Sequence, residues 1–212
     1  MRESGGVIFA ALLAALSVCA DEQQAVALTF DDGPNPPYTE KLLQILKEKE
    51  VKATFFLIGQ QVETCPDLGI QIQDWGHEIG GHSHDWDMLA FKRWKTVERK
   101  LDKMDAAFAD AGITNIALFR PPIGMLSFGQ KNKIEARGLK FILGDVVPGD
   151  RKDIDAETIR NRVLKKVRPG SVIVLHDGGG DRTETIKAVL LIVDALREQG
   201  YSFLTVSELT VE

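Results

Sequence analysis

The stretch Ala27-Leu28-Thr29-Phe30-Asp31-Asp32-Gly33-Pro34 joins an apolar run to two adjacent carboxylates and a Gly-Pro turn. Because Pro34 cannot extend a sheet and Gly33 permits a sharp reversal, a strand is predicted to stop directly behind the two acids. Paired carboxylates at the end of a buried strand suggest one acid on a metal and one acting as a base. An Asx turn with helix capping is the alternative interpretation.

The composition is that of an ordinary globular domain. The 212 residues carry a formal net charge of -5, with 44% hydrophobic and 27% charged residues. These values predict one soluble domain with a sizeable core. The sequence contains no basic cluster, so we expect no nucleic-acid partner.

Residues 1–20 are predicted to be a signal peptide. The charge of Arg2 precedes the apolar run Val7–Val18, which is shorter than the roughly 20 residues that span a bilayer. Small residues then allow cleavage after Ala20. We therefore expect an exported domain over residues 21–212, in the periplasm, cell envelope or extracellular space, without stable membrane insertion. An uncleaved anchor is the alternative.

Seven apolar, strand-like runs mostly alternate with helical patterns along the rest of the chain. Continuous apolar runs predict a parallel sheet buried on both faces, as a barrel or as a doubly wound open sheet. The predicted strands are 25–30, 54–58, 78–80, 116–119, 139–143, 171–175 and 201–206. The predicted helices are about 37–50, 66–75, 94–111, 130–137 and 155–167, and a last one from 181 or 183 to 200.

Conspicuous polar side chains follow the predicted strands directly. In parallel α/β folds the carboxyl ends of the strands share one face, where active sites form. Residues as distant in sequence as Asp31 and Asp177 are therefore expected to converge. The residues concerned are Asp31, Asp32, His82, His84, Arg120, Asp145, His176 and Asp177.

Four segments, in order, resemble the motifs of the polysaccharide deacetylase (NodB-homology) family, also called carbohydrate esterase family 4. They are TFDDGP at 29–34, GHEIGGHS at 76–83, RPPIG at 120–124 and IVLHD at 173–177. The ordered set spans almost all of the chain after the predicted signal peptide. The resemblance implies an α/β fold, a single-domain distorted (β/α)7 barrel with parallel strands, which agrees with the seven strands predicted above.

The same resemblance implies an activity. The family removes N-acetyl groups, usually from N-acetylglucosamine units of chitin oligomers or peptidoglycan, with one divalent metal, here expected to be Zn²⁺, with Co²⁺ or another divalent ion as alternatives. It implies that Asp31 is the general base and His176 the general acid. Arg120 would orient Asp31 and tune its charge.

The resemblance also assigns metal ligands and a substrate cleft. Asp32 and His82 would bind the metal. Pro122, Gly124 and Leu175 would contact the substrate. The expected partner is a carbohydrate polymer or oligomer, and the protein is expected to be a monomer.

One departure from the family pattern affects the metal. The second family motif is His-Ser/Thr-x-x-His with both histidines on the metal, and Trp86 stands at the second histidine position here. His84 is predicted as the replacement, because residues two apart share a face of an extended segment. Asp85 or Asp87, or two protein ligands with water, are the alternatives.

A second departure affects the general acid. The family usually has an Asp-rich segment ending in Asp-Trp where residues 144–151 stand. Val147 occupies the place of an acid that tunes the histidine, so Asp145 or Asp150 is predicted to pair with His176. Trp86 and Val147 motivate a second hypothesis, a catalytically impaired carbohydrate-binding protein on the same fold. A third hypothesis, an O-acetyl esterase acting on xylan, changes the substrate and not the machinery.

Overall fold

The computed structural model describes residues 24–210, and the predicted signal peptide, residues 1–20, lies outside the described residues. All seven predicted strands are present in the described range. They are β1 (Ala25–Asp31), β2 (Thr54–Leu57), β3 (Glu78–Gly81), β4 (Leu118–Phe119), β5 (Lys140–Phe141), β6 (Val172–His176) and β7 (Ser202–Phe203). Every pairing between them is parallel.

The helices include all six that were predicted. They are α1 (Tyr38–Glu48), α2 (Gly59–Thr64), α3 (Pro66–Asp74), α4 (Trp94–Asp110), α5 (Phe128–Glu135), α6 (Ala156–Leu164), α7 (Thr183–Glu198) and α8 (Val206–Leu209). The short helices α2 and α8 were not predicted. Within residues 24–210, none of these helices has the length and apolar character needed to cross a bilayer.

The sheet curls toward a barrel. Its strands lie in the order β5-β4-β3-β2-β1-β6, and β7 pairs with the start of β1. Beyond β5, Val146 forms a parallel bridge to Ile173 of β6, which brings the two ends of the strand order together. The distorted (β/α)7 barrel is therefore confirmed, and the open doubly wound sheet is not adopted.

The pleat of β1 separates two cores. Its residues are all buried, as expected for a parallel strand covered on both faces. Phe30 packs in the large cluster formed with the helices, whereas Ala27 packs in a small cluster with Phe56. Since alternate side chains share a face, Thr29 and Asp31 point to the same side as Ala27.

Candidate active site

A cavity of about 350 Å³ opens beside the carboxyl ends of the strands. Strand register places Asp31, the last residue of β1, level with His176, the last residue of β6. His82 and Arg120 come directly after β3 and β4. The charged or titratable side chains that line the cavity are Asp31, Asp32, His82, Arg120, Arg151 and His176.

Asp31 forms a buried ion pair with Arg120. Nη1 of Arg120 lies 2.6 Å from Oδ1 of Asp31 and donates a second hydrogen bond, 2.7 Å long, to Oγ1 of Thr29. The guanidinium also stacks on the Phe56 ring, 4.0 Å from its centroid. Burial by itself would raise the pKa of Asp31, but Arg120, with His82 and His176, holds that pKa below its usual value. Asp31 is therefore an anion at neutral pH.

A carboxylate oxygen of Asp32 and a ring nitrogen of His82 face each other as two acceptor atoms. Nδ1 of His82 lies 2.7 Å from the backbone carbonyl oxygen of Arg120, and burial lowers the pKa of His82 despite the nearby carboxylates. The neutral ring therefore keeps its proton on Nδ1 and directs an unprotonated Nε2 toward Oδ1 of Asp32, 3.5 Å away. Oδ2 of this buried Asp32 has no hydrogen-bond partner among the described residues, although Nη1 of Arg151 lies 3.4 Å from it.

These two side chains fit a divalent cation. A buried carboxylate oxygen without a hydrogen bond is costly, and a metal-bound histidine commonly donates its other N–H to a carbonyl, as His82 does to Arg120. The site offers only this pair, since no group of three His, Cys, Asp or Glu side chains in residues 24–210 could hold a metal ion. Water or substrate would have to complete the coordination.

His84 is not brought to the cation position. It is buried beside α2, where its Nδ1 has no hydrogen-bond partner among the described residues and lies 4.0 Å from Oε1 of Glu63. Trp86 lines the cavity instead. Ser83, between His82 and His84, has a φ of 70°, so the segment is not extended and the two rings do not share a face. The geometry therefore argues against His84 as the third ligand.

Asp150 is the acid that pairs with His176. Its Oδ1 lies 2.8 Å from Nδ1 of His176, and its Oδ2 accepts a 2.8 Å hydrogen bond from the backbone N–H of the same residue. Burial by itself would lower the pKa of His176, but Asp150 raises it above the usual value. Asp145, the other candidate, accepts hydrogen bonds from Val172 N and Ser171 Oγ instead.

The predicted substrate contacts divide into two groups. Pro122 and Gly124 line the cavity, together with Ile123 between them. Ile123 has a φ of 57°, a strained conformation for a β-branched residue that is most often retained at functional sites. Leu175 is fully buried in the hydrophobic core, because it points away from the face on which its neighbours Val174 and His176 line the cavity.

Sequence reasoning did not single out three residues of the site. Thr29 anchors Arg120, Thr185 donates a 3.1 Å hydrogen bond to Oδ2 of Asp150, and Arg151 lines the cavity. Thr29 is two residues before Asp31 in β1, so strand alternation could have placed it on the same face. Arg151 directly follows Asp150, but only the path of the loop shows where its side chain points.

The arrangement can carry out acid-base chemistry at one centre. An anionic Asp31 and a His176 with a raised pKa stand side by side on adjacent strands. A base and an acid in opposite protonation states can remove a proton from a nucleophile and supply one to a leaving group. The Asp32–His82 pair adds a place for an electrophilic cation next to them.

Comparison with known proteins agrees with this geometry. The family model described as "Polysaccharide deacetylase" matches residues 20–142. A peptidoglycan-N-acetylglucosamine deacetylase of Bacillus cereus is 35% identical over 192 residues, which cover 89% of each chain. A chitooligosaccharide deacetylase of Azorhizobium caulinodans is 32% identical over 192 residues, covering 85% of this chain and 91% of that relative.

Solved structures give the same result. The crystal structure of a peptidoglycan N-acetylglucosamine deacetylase in complex with 4-naphthalen-1-yl-N-oxidanyl-benzamide has a TM-score of 0.84 and 32% identity to this chain, covering 87% of each. The relatives are named as deacetylases, in agreement with the enzyme class predicted from the motifs. With its sequence match, its barrel and its ordered motifs, the chain belongs to the polysaccharide deacetylase family.

Proposed function

We propose that this protein is a metal-dependent hydrolase that removes N-acetyl groups from N-acetylglucosamine-containing polysaccharide or oligosaccharide. The observation that carries the proposal is the pair formed by Asp31 and His176. Strand register places them level with each other, and their pKa values are shifted in opposite directions, which suits a base and an acid.

Asp31 would act on the nucleophile. Its carboxylate would accept the proton of a water molecule that attacks the acetyl carbonyl. Arg120 keeps Asp31 ionised and holds it in one orientation through the 2.6 Å contact. A general base placed in this way typically contributes about 10²–10⁴-fold to the rate.

His176 would act on the leaving amine. The hydrogen bond from Nδ1 to Asp150 fixes the ring and leaves Nε2 for the substrate. Because Asp150 raises the pKa of His176, the ring keeps its proton to higher pH than an ordinary histidine and would pass it to the amine as the amide bond breaks. An amide nitrogen leaves readily only when it is protonated.

Asp32 and His82 would hold the divalent ion, with Zn²⁺ the expected metal. When bound there, the ion would polarise the acetyl carbonyl and lower the pKa of an attacking water. The unprotonated Nε2 of His82 and the Asp32 carboxylate are the donor types that Zn²⁺ accepts. Asp85 and Asp87 each form an ion pair with Lys100, which counts against either of them as the third ligand.

The relatives indicate the substrate class, since those compared above are named as deacetylases of peptidoglycan and chitooligosaccharide. A protein acting on such polymers is expected to work outside the cytoplasm, in keeping with the predicted signal peptide. We expect it to act as a monomer, and the acid, the base and both metal donors of the proposed site come from one chain.

The test is acetate release from N-acetylglucosamine oligomers by the full chain, with added Zn²⁺ or Co²⁺ and with chelator. We expect release that requires metal and that falls at least about 10²-fold in Asp31→Asn and in His176→Ala. Acetylxylan serves as the comparison substrate for O-deacetylation. Retained activity in both variants would overturn the assigned roles.

A second candidate function is carbohydrate binding without catalysis. The observation that favours it is Trp86, which is 40% exposed and lines the cavity at the position where the family pattern has a metal ligand. This hypothesis predicts metal-independent glycan binding and no acetate release from any oligomer. A Zn²⁺ titration separates the two functions, because tight Zn²⁺ binding would contradict the second.

A further inference from the structure

Arg151 places a positive charge inside the cavity that the proposed reaction does not use. Its side chain is 47% exposed, and Nη1 lies 3.4 Å from Oδ2 of Asp32. Among residues 24–210 this ion pair is the one charged contact of Arg151, and its guanidinium forms no hydrogen bond there. By contrast, the buried Arg182 donates hydrogen bonds to the carbonyl oxygens of Gly178 and Gly179.

The backbone just before Arg151 is held in place at two positions, Asp150 and Pro148. The side chain of Asp150 is fixed by His176 and Thr185. The carbonyl oxygen of Pro148 accepts a 2.9 Å hydrogen bond from Nη1 of Arg162 on α6. The base of the Arg151 side chain is therefore fixed beside the cavity, and the 3.4 Å contact with Asp32 places its guanidinium there.

Of the two arginines that line the cavity, Arg151 is the accessible one. Arg120 is buried and engaged with Asp31. Leu143 and Val147 contribute apolar surface to the cavity, and in the described part of the chain no Asn, Gln, Ser, Thr or Tyr side chain lines it. Besides the neutral indole N–H of Trp86 and the His176 ring that the proposed reaction uses, Arg151 is therefore the accessible cationic donor for an anionic group of the substrate.

We propose that Arg151 is a specificity-determining residue that selects N-acetylated oligosaccharides bearing a carboxylate near the scissile amide. The planar guanidinium matches a carboxylate through two parallel hydrogen bonds. Asp31 and Asp32 nearby oppose a doubly charged phosphate more strongly than a singly charged carboxylate. This inference rests on the proposed function and extends it to the class of substrate.

The experiment compares two soluble oligosaccharides, one with negatively charged carboxylates and one in which those groups are neutral. One is an N-acetylated oligosaccharide with sugar-linked carboxylates, and the other is the same molecule with each carboxylate converted to a methyl amide. For the metal-loaded full chain, we expect the ratio of kcat/KM, acid over methyl amide, to fall roughly 10- to 100-fold in Arg151→Gln. Arg151→Lys is expected to give an intermediate ratio, and added salt to reduce the ratio in the unsubstituted protein.

Lys152→Gln is the matched control, because it removes the same charge one residue further on, from a side chain that does not line the cavity. Its ratio should stay that of the unsubstituted protein. An equal loss on both oligosaccharides in Arg151→Gln would mean that Arg151 only balances Asp32, and would overturn the proposal.

A binding measurement separates this proposal from the proposed function. In chelator, calorimetry should show tighter binding of the acid than of its methyl amide, and Arg151→Gln should abolish the difference. Absence of acetate release with this binding preference present would count against the deacetylase and support Arg151. Equal binding of the two oligosaccharides to the unsubstituted protein would overturn the role of Arg151, whatever the activity.

Discussion

Asp150 holds His176 at two points, because one carboxylate oxygen binds its ring and the other binds its backbone N–H. The carboxylate therefore determines where the ring lies as well as whether it is protonated. The family pattern places such an acid at position 147, where this chain has valine. Asp150 reaches the ring from three residues further along the loop.

Replacing Asp150 by asparagine should shift the alkaline limb of the pH–rate profile. The raised pKa of His176 keeps the acid protonated as pH rises, and activity is lost as pH passes that pKa. Without the negative charge the pKa falls, so the alkaline limb of kcat/KM should move to lower pH, with a loss of up to about 10²-fold at the optimum. Asp145→Asn is the control, because Asp145 does not contact His176. An unmoved limb in Asp150→Asn would contradict the pairing.

A histidine at position 86 should strengthen the metal site. Trp86 lines the cavity with Asp32 and His82. Trp86→His would therefore add a third metal ligand to this pair. We expect Zn²⁺ affinity, measured by competition with a chromophoric chelator, to rise at least about tenfold. Trp86→Ala removes the bulk without adding a donor and should not reproduce the gain. A large loss of affinity in His84→Ala would instead restore His84 as a ligand.

Individual site residues could be predicted when they follow a strand directly. Asp31, Asp32, His82, Arg120 and His176 all line the cavity, because parallel strands fix the position of the residue after each one. His84 could not be placed in the same way, since the positive φ of Ser83 breaks the alternation on which its prediction depended. The sequence could not show whether Asp150 or Asp145 pairs with His176, because the path of this loop follows no periodic pattern.

At the scale of elements, Gly80 of β3 allows neighbouring strands to pack closely. A Cβ on Gly80 of β3 would lie 2.6 Å from Cε1 of Phe56 and 3.2 Å from Cβ of Leu118. These neighbours form the small core beneath the cavity. The absence of a side chain at position 80 therefore lets β2, β3 and β4 approach closely enough to hold Arg120 over the Phe56 ring.

Gly80→Ala should destabilise the protein by about 1–3 kcal/mol, because overpacking forces neighbouring side chains out of their rotamers. The measurement is chemical denaturation, read as the change in the free energy of unfolding. Gly129→Ala in α5 is the matched control, because a Cβ there meets nothing within 4 Å. Alanine at that helical position should be neutral or slightly stabilising. Equal effects of the two substitutions would contradict the packing argument.

Element types followed from periodicity, but some boundaries did not. The run 201–206 was predicted as one strand, whereas β7 ends at Phe203 and α8 begins at Val206. The reason is a capping box between Thr205 and Glu208, a signal that is readable in the sequence. Helix α2 is six residues long and starts without a side-chain cap, so its sequence contains no comparable capping pattern.

For the molecule as a whole, local sequence patterns could not distinguish a barrel from an open sheet. Seven buried parallel strands satisfy both arrangements, and both place the strand ends on one face. The deciding contact joins Val146 to Ile173, and neither residue differs in character from its neighbours. Fold class therefore followed from the strand pattern, and barrel curvature from the motif resemblance.

Metal binding should stabilise the entire domain against unfolding. A ligand that binds only the folded state adds about 2.7 kcal/mol at 100 times its Kd. We expect Zn²⁺ to raise Tm in differential scanning calorimetry, and Asp32→Asn to abolish the rise. Asparagine is the suitable replacement because Asp32 has a φ of 78°, a conformation that asparagine tolerates. A Tm rise that persists in Asp32→Asn would place the ion elsewhere.

The direction of the strands has a practical consequence for attaching the enzyme to a surface. Ala25 begins β1 and Asp31 ends it, so the chain enters at the edge opposite the cavity, about 20 Å away. Helix α8 is bound to the first residues of β2 and β3, through Thr54 and Glu78, so Thr210 leaves from that same edge. A linker at either end of the described chain would therefore leave the mouth of the cavity pointing away from a bead or support, open to a large polymer.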